Sequence, residues 1–143
     1  MCIRDRYYSK IGKLAMADTG NTQLQHDLAV GWSFLGKVRM AQGDVAGAFE
    51  AYIAYNCKIT KLAAADIGNA RWQRSLILSH WNLAELVERM PKRAGEAIEH
   101  WSQALDCARA LADTNRLAPP DSYFVAMLEQ RLAAARAASN LPP

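Results

Sequence analysis

"ADTGN" occupies Ala17–Asn21 and "ADIGN" occupies Ala65–Asn69, 48 positions apart from Asp18 to Asp66. Each pentapeptide follows one segment of helical hydrophobic period and precedes another. A glycine after a helix supplies the left-handed residue that closes its last turn without a Cβ clash, so Gly20 and Gly68 are expected to have positive φ. An asparagine next in line can accept hydrogen bonds from the first free N–H groups of a following helix, which casts Asn21 and Asn69 as N-caps. Asp18 and Asp66 would meet the negative end of the preceding helix dipole, so they read as turn residues bonding nearby N–H groups. The motif predicts a joint: a helix stops, the chain turns, a helix starts.

The 48-residue register extends beyond the joints. Tyr7, Lys10, Ile11, Lys13, Leu14, Ala15 and Ala17 fall on Tyr55, Lys58, Ile59, Lys61, Leu62, Ala63 and Ala65. Gln25, Leu28 and Leu35 fall on Gln73, Leu76 and Leu83. After the first joint Leu24, Leu28, Trp32, Leu35 and Val38 step along one helical face, and Trp72, Leu76, His80, Leu83 and Leu86 repeat those steps. "QGD" (Gln42–Asp44) ends the first helix at Gly43 and caps the next with Asp44. That next helix carries Val45, Phe49, Tyr52, Asn56, Ile59 and Ala63. Its counterpart carries Ala94, Ile98, Trp101, Leu105, Ala108 and Ala112, after a turn containing Pro91. Two units, residues 22–65 and 70–113, therefore read as hairpins of helices of about 20 residues, each about 30 Å long. Neither helix can hide its apolar face alone, so the hairpins are expected to stack.

These residues resemble the tetratricopeptide repeat (TPR). The pattern W-x₂-L-G, then G-D, then A-x₃-aromatic is met by Trp32, Leu35, Gly36, Gly43, Asp44, Ala48 and Tyr52. Ala84, Ala97, Trp101 and Ala104 fit the second unit, which departs in carrying His80 in place of Trp and "MPK" in place of Gly-Asp. The usual unit has about 34 residues. The excess of about 14, shared between two helices, adds about two turns to each and leaves the apolar stripe on the same side. The resemblance covers Tyr7 to Asp113 and implies an all-α fold: a right-handed α-solenoid of antiparallel hairpins whose first helices line a concave groove for a peptide or protein. Carried onto this chain, the groove slots are Gln23, His26, Val30, Ser33, Lys37 and Met40 in the first unit. In the second they are Arg71, Arg74, Leu78, Trp81, Glu85 and Glu88. Trp81 lies off the main stripe of its helix and is expected to be exposed there, as interface anchors often are. The alternative is that these are ordinary solvent-facing positions.

At the N-terminus "MCIRDR" (Met1–Arg6) breaks the register and looks like translated sequencing-adapter read-through; a natural, frayed terminus is the alternative. Residues 7–17 read as the second helix of a truncated unit, which makes the chain the expected C-terminal portion of a longer bacterial protein. At the other end "LAPPD" (Leu117–Asp121) leads into a segment with Asp121 or Ser122 as cap and Tyr123, Met127, Leu128 and Leu132 as its stripe. Residues 119–138 read as a capping helix and 139–143 as a loose tail.

The rest of the sequence excludes more than it names. The 143 residues carry a formal charge of +3 with basic side chains scattered, which argues against a nucleic-acid partner. Nothing approaches the roughly 18 apolar residues of a membrane span. Cys2, Cys57 and Cys107 are widely spaced without a CxxC pair, so neither a zinc site nor a disulfide framework is expected, and a reducing, cytoplasmic setting is. His80 occupies a core slot, while His26 and His100 have no partner at helical spacing. Glu85, Glu88, Glu96 and Glu99 are interleaved with Arg89, Lys92 and Arg93, the pattern of a solvated face rather than of an acid/base pair. No catalytic constellation, cofactor site or small-molecule substrate is expected. The functional expectation is a non-enzymatic protein-interaction scaffold; the alternative is the regulatory tail of a multidomain enzyme.

Overall fold

The computed structural model describes residues 22–139, and every regular element among them is helical. In chain order these are α1 (Thr22–Ala41), α2 (Val45–Ala65), α3 (Ala70–Val87), α4 (Glu96–Asp113), a 3₁₀ turn (Pro119–Asp121) and α5 (Phe124–Ser139). The chain divides into two compact units, Met1–Asp66 and Ile67–Pro143. In the first, α1 packs on α2; in the second, α3 packs on α4 and α4 on α5. The expected helices of residues 7–17, the joint at Gly20 and the tail beyond Ser139 lie outside the described residues. No described helix is long and apolar enough to cross a membrane.

The α1–α2 turn forms as the sequence predicts. Gly43 takes φ +79°, its N–H reaching Met40 O (3.0 Å) while the Asp44 N–H reaches Arg39 O (2.8 Å), a Schellman closure. The Asp44 carboxylate then accepts the Gly47 N–H at 2.9 Å and caps α2. Space around Gly43 is open, so Gly43→Ala should lose only the backbone term, about 1 kcal/mol, measurable as a lower denaturant midpoint. The second joint forms differently. Asn69 does cap α3, accepting the Trp72 N–H at 3.2 Å, but Gly68 is not among the described residues with positive φ. Asp66 leaves the α2 helix in a non-helical conformation with negative φ (φ −142°, ψ 77°) after its N–H bonds Leu62 O, so the chain turns without a left-handed residue. The glycine-less joint after α4 uses the device expected at Gly68. Asn115 adopts φ 56°, and the N–H groups of Asn115 and Arg116 close on Ala112 O and Leu111 O.

Three further boundaries and faces depart from the sequence reading. The α4 helix starts at Glu96, because Pro91 and the turns through Gly95 delay it, so Ala94 is exposed outside it. Glu96 and Glu99 occupy its first turn, where the helix dipole favours negative charge. At the C-terminus, 119–123 is a 3₁₀ turn and link rather than α-helix, and Asp121 is buried in an ion pair instead of serving as a cap. On α1 the expected core stripe is not the packed one. His26, Ala29 and Gly36 are buried, whereas Leu28, Trp32 and Leu35 are half-buried and Leu24 and Val38 exposed.

Gly36 explains how α1 approaches α2. A Cβ built there would lie 2.5 Å from Tyr52 Cε1 and 2.7 Å from Cδ1, inside contact distance of a buried ring. The second unit places Ala84 and Trp101 at the corresponding positions, both buried. Gly36→Ala should therefore cost about 1–3 kcal/mol of overpacking, reduced by the better helix propensity of alanine. Chemical denaturation checks this, and a stabilised variant would mean that Tyr52 is free to move aside.

Candidate functional site

In the first unit the six expected groove positions straddle the edge of the packed face of α1. Gln23 and Lys37 are exposed, and Val30, Ser33 and Met40 are half-buried. Gln23 donates from Nε2 to Asp27 at 2.9 Å, and Lys37 Nζ stands 5.8 Å from the Phe34 ring centroid, in cation–π range. His26 is buried, so it belongs to the packing of α1 and not to a binding surface. Helical spacing alone does not separate it from its neighbours, because it shares the flank of α1 with Ser33 and Met40.

The second unit holds a more definite arrangement. Arg71 on α3 and Glu88 just past its end are exposed, while Leu78, Trp81 and Glu85 are half-buried. Arg74 reaches the C-terminal segment through two bonds to Asp121, Nε to Oδ2 at 2.6 Å and Nη2 to Oδ1 at 3.2 Å. Its guanidinium carbon also lies 5.8 Å from the Phe124 ring centroid. Trp81 donates its indole N–H to Glu85 Oε1 at 2.6 Å, and the same oxygen accepts Arg131 Nη2 at 2.8 Å. The Trp81 ring meets Phe124 edge-on at 5.6 Å and lies 6.4 Å from Trp101. Arg131 in turn spreads over the Trp101 ring, its Cζ 4.9 Å from the centroid, and Trp101 donates its N–H to Glu88.

The C-terminal segment thus sits on part of the expected second-unit groove face. Trp81 is not the bare anchor that its off-stripe position implies. It is held between Trp101 and Phe124, with its one donor already used. The charged contacts that clasp the segment are half-exposed on at least one side, so each contributes on the order of 1 kcal/mol or less. Burial of Phe124, Leu128 and Leu132 supplies the larger share.

Sequence reasoning missed Asp121, Phe124 and Arg131 as partners of α3. Asp121 carries the signature of a cap and Arg131 that of a solvated flank, and their meeting across 46 or 47 residues leaves no local pattern. It also missed a histidine pair. His80 Nδ1 and His100 Nδ1 approach to 3.2 Å across the α3–α4 hairpin, so one ring donates and the other accepts. Burial, and then the neighbouring His100, pull the His80 pKa down to about 4, against a smaller opposing pull from Glu99. The pKa of His100 is lowered by burial, opposed by Glu96 and Glu99. Among the described residues no three histidine, cysteine or acidic side chains cluster as metal ligands would.

No family model, curated protein or solved structure matches this chain. Its function must therefore be argued from this geometry.

Proposed function

We propose that the two hairpins are units of a TPR-like right-handed α-solenoid and that the protein is a non-enzymatic scaffold. In this reading it binds a peptide or protein along its first helices, with no cofactor, in the cytoplasm. The observation that carries the reading is the face of α3. Arg74, Trp81 and Glu85 there already accept an amphipathic helix through an aromatic, a cation and a carboxylate, the mixture by which helices and peptides are held in grooves. The exposed Lys37 on α1 offers a cation at another of the expected positions. Two helical hairpins, α1 on α2 and α3 on α4, in the 48-residue register of the sequence support the repeat character.

A displayed peptide library panned on the full chain tests the proposal. Enriched peptides should bind Lys37→Glu about tenfold more weakly, some 1.4 kcal/mol, while melting stays nearly unchanged because the position is exposed. Failure to enrich any sequence, or equal binding by parent and variant, would contradict it.

A further inference from the structure

The nitrogens that His80 of α3 and His100 of α4 turn toward each other, both Nδ1, are 3.2 Å apart. An imidazole nitrogen bound to zinc lies about 2.0–2.1 Å from the ion, so two nitrogens at this separation subtend about 100° there, not far from the tetrahedral angle. The ring centroids stand 5.4 Å apart and the ring planes 32° from parallel, so the rings meet almost head-on. An outward tilt of each ring turns both lone pairs to one point beside the pair. Burial lowers both pKa values, that of His80 to about 4, which leaves the rings neutral at pH 7.5, the form that binds metal. His80 is buried and His100 half-buried, so an ion reaches the pair from the His100 side. That side carries acid. Glu96 stands one helical turn before His100 and Glu99 immediately before it, both exposed in the first turn of α4.

We propose that His80 and His100 clamp one zinc ion, or a late first-row divalent ion of the same kind, through their Nδ1 atoms, with a carboxylate from the first turn of α4 as third donor. Two imidazoles and one carboxylate suit such an ion, whereas magnesium and calcium call for oxygen ligands throughout. Among the described residues no third donor stands with the two rings, so the carboxylate has to swing in. Both acids are free to do so at small cost. Glu96 gives up contacts of 3.3 and 3.5 Å with Arg93 Nη1, and Glu99 a bond of 2.6 Å from Gln103 Nε2, all of them exposed. Both carboxylates already act electrostatically on His100, and Glu99 on His80 as well, so they are near enough to offset the charge of a cation. The ion pins α3 to α4. It takes no part in holding a peptide, so this site goes beyond the scaffold reading and stands or falls apart from it.

Calorimetric titration of zinc chloride into the untagged full chain at pH 7.5 tests this. One ion per chain should bind with a dissociation constant on the order of 10 µM, weaker than at a closed four-ligand site because only three protein donors are at hand. Magnesium at the same concentration should give no binding heat. His80→Asn and His100→Gln should each weaken zinc binding at least about tenfold, and so should Glu96→Gln combined with Glu99→Gln. Cys107→Ser, at the half-buried thiol two turns along α4 from His100, should bind as the parent does. A parent that binds no zinc would overturn the proposal, as would binding that survives either histidine substitution or the double glutamate substitution. So would one ion shared between two chains, since its ligands would then come from separate molecules.

Discussion

Trp101→Ala is expected to destabilise the second unit by about 3–5 kcal/mol, the range for removing a large aromatic side chain from a packed interior. Trp101 is fully buried on α4, and three elements close around it. Trp81 of α3 lies on one side, the Arg131 guanidinium of α5 covers its ring, and Glu88 just past α3 accepts its indole N–H. Alanine would leave a cavity that neither Trp81 nor Arg131 can fill without releasing Glu85, the acceptor they share. Such a loss is a large share of the roughly 5–15 kcal/mol that holds a typical domain together. Urea denaturation should show a much lower midpoint at similar slope. Trp101→Phe should lose much less, because it keeps a ring under Arg131 and surrenders only a bond to the exposed Glu88. A loss below about 1 kcal/mol for Trp101→Ala would mean that the α3–α4–α5 junction collapses freely onto the gap.

That junction also marks where the sequence stops being readable. Helix existence and the tight turn at Gly43–Asp44 follow from local rules: period 3.6, a left-handed glycine, an aspartate cap. The structure keeps all of these. The left-handed residue expected at Gly68 occurs instead at Asn115 after α4, because asparagine also tolerates that region and the backbone at Asp66 turns the chain without it. Facing is harder to read than period. On α1 the step pattern fits two lines about equally well, Leu24–Leu28–Trp32–Leu35–Val38 and Leu24–Asp27–Gly31–Phe34–Val38. Close approach at Gly36 selects a third side, the one bearing Ala29, as the interior. A glycine that permits contact carries no hydrophobic signal.

The expected groove suffers from the same loss of information. Lys37 and Arg71 stand where helical spacing puts them, at the surface. His26 is buried, and Trp81, Glu85 and Arg74 are engaged by residues more than 40 positions downstream. The residues that engage them, Asp121, Phe124 and Arg131, follow two prolines in a segment outside the repeat register, so no internal copy predicts where they dock. Only the apolar spacing of the segment is local, and a helix does form there. Its start at Phe124 was set by a 3₁₀ turn and a buried ion pair.

The histidine pair gives the second large effect, and its sign follows from linkage. In the folded protein the His80 pKa is held at about 4, below its ordinary value near 6.5. The unfolded chain therefore binds the proton more readily, and stability must fall as pH drops. The loss begins near pH 6.5, grows by up to about 1.4 kcal/mol per pH unit, and levels off near pH 4 at up to about 3 kcal/mol. The geometry supplies the cause. His80 is buried, and its Nδ1 faces the Nδ1 of His100 at 3.2 Å. One proton placed on His100, the more exposed ring, still lets that ring donate to a neutral His80. A proton on His80 as well would set two N–H groups and two positive charges against each other in a poorly hydrated hairpin. Urea titrations between pH 7.5 and 5 separate this effect from the carboxylates, which titrate lower. The parent should weaken steadily across that window, and His80→Asn, which keeps an acceptor but no titrating ring there, should weaken clearly less, with only the smaller share of His100 remaining. An equal slope in His80→Asn would place the pH sensitivity elsewhere and leave the histidine contact a neutral packing pair.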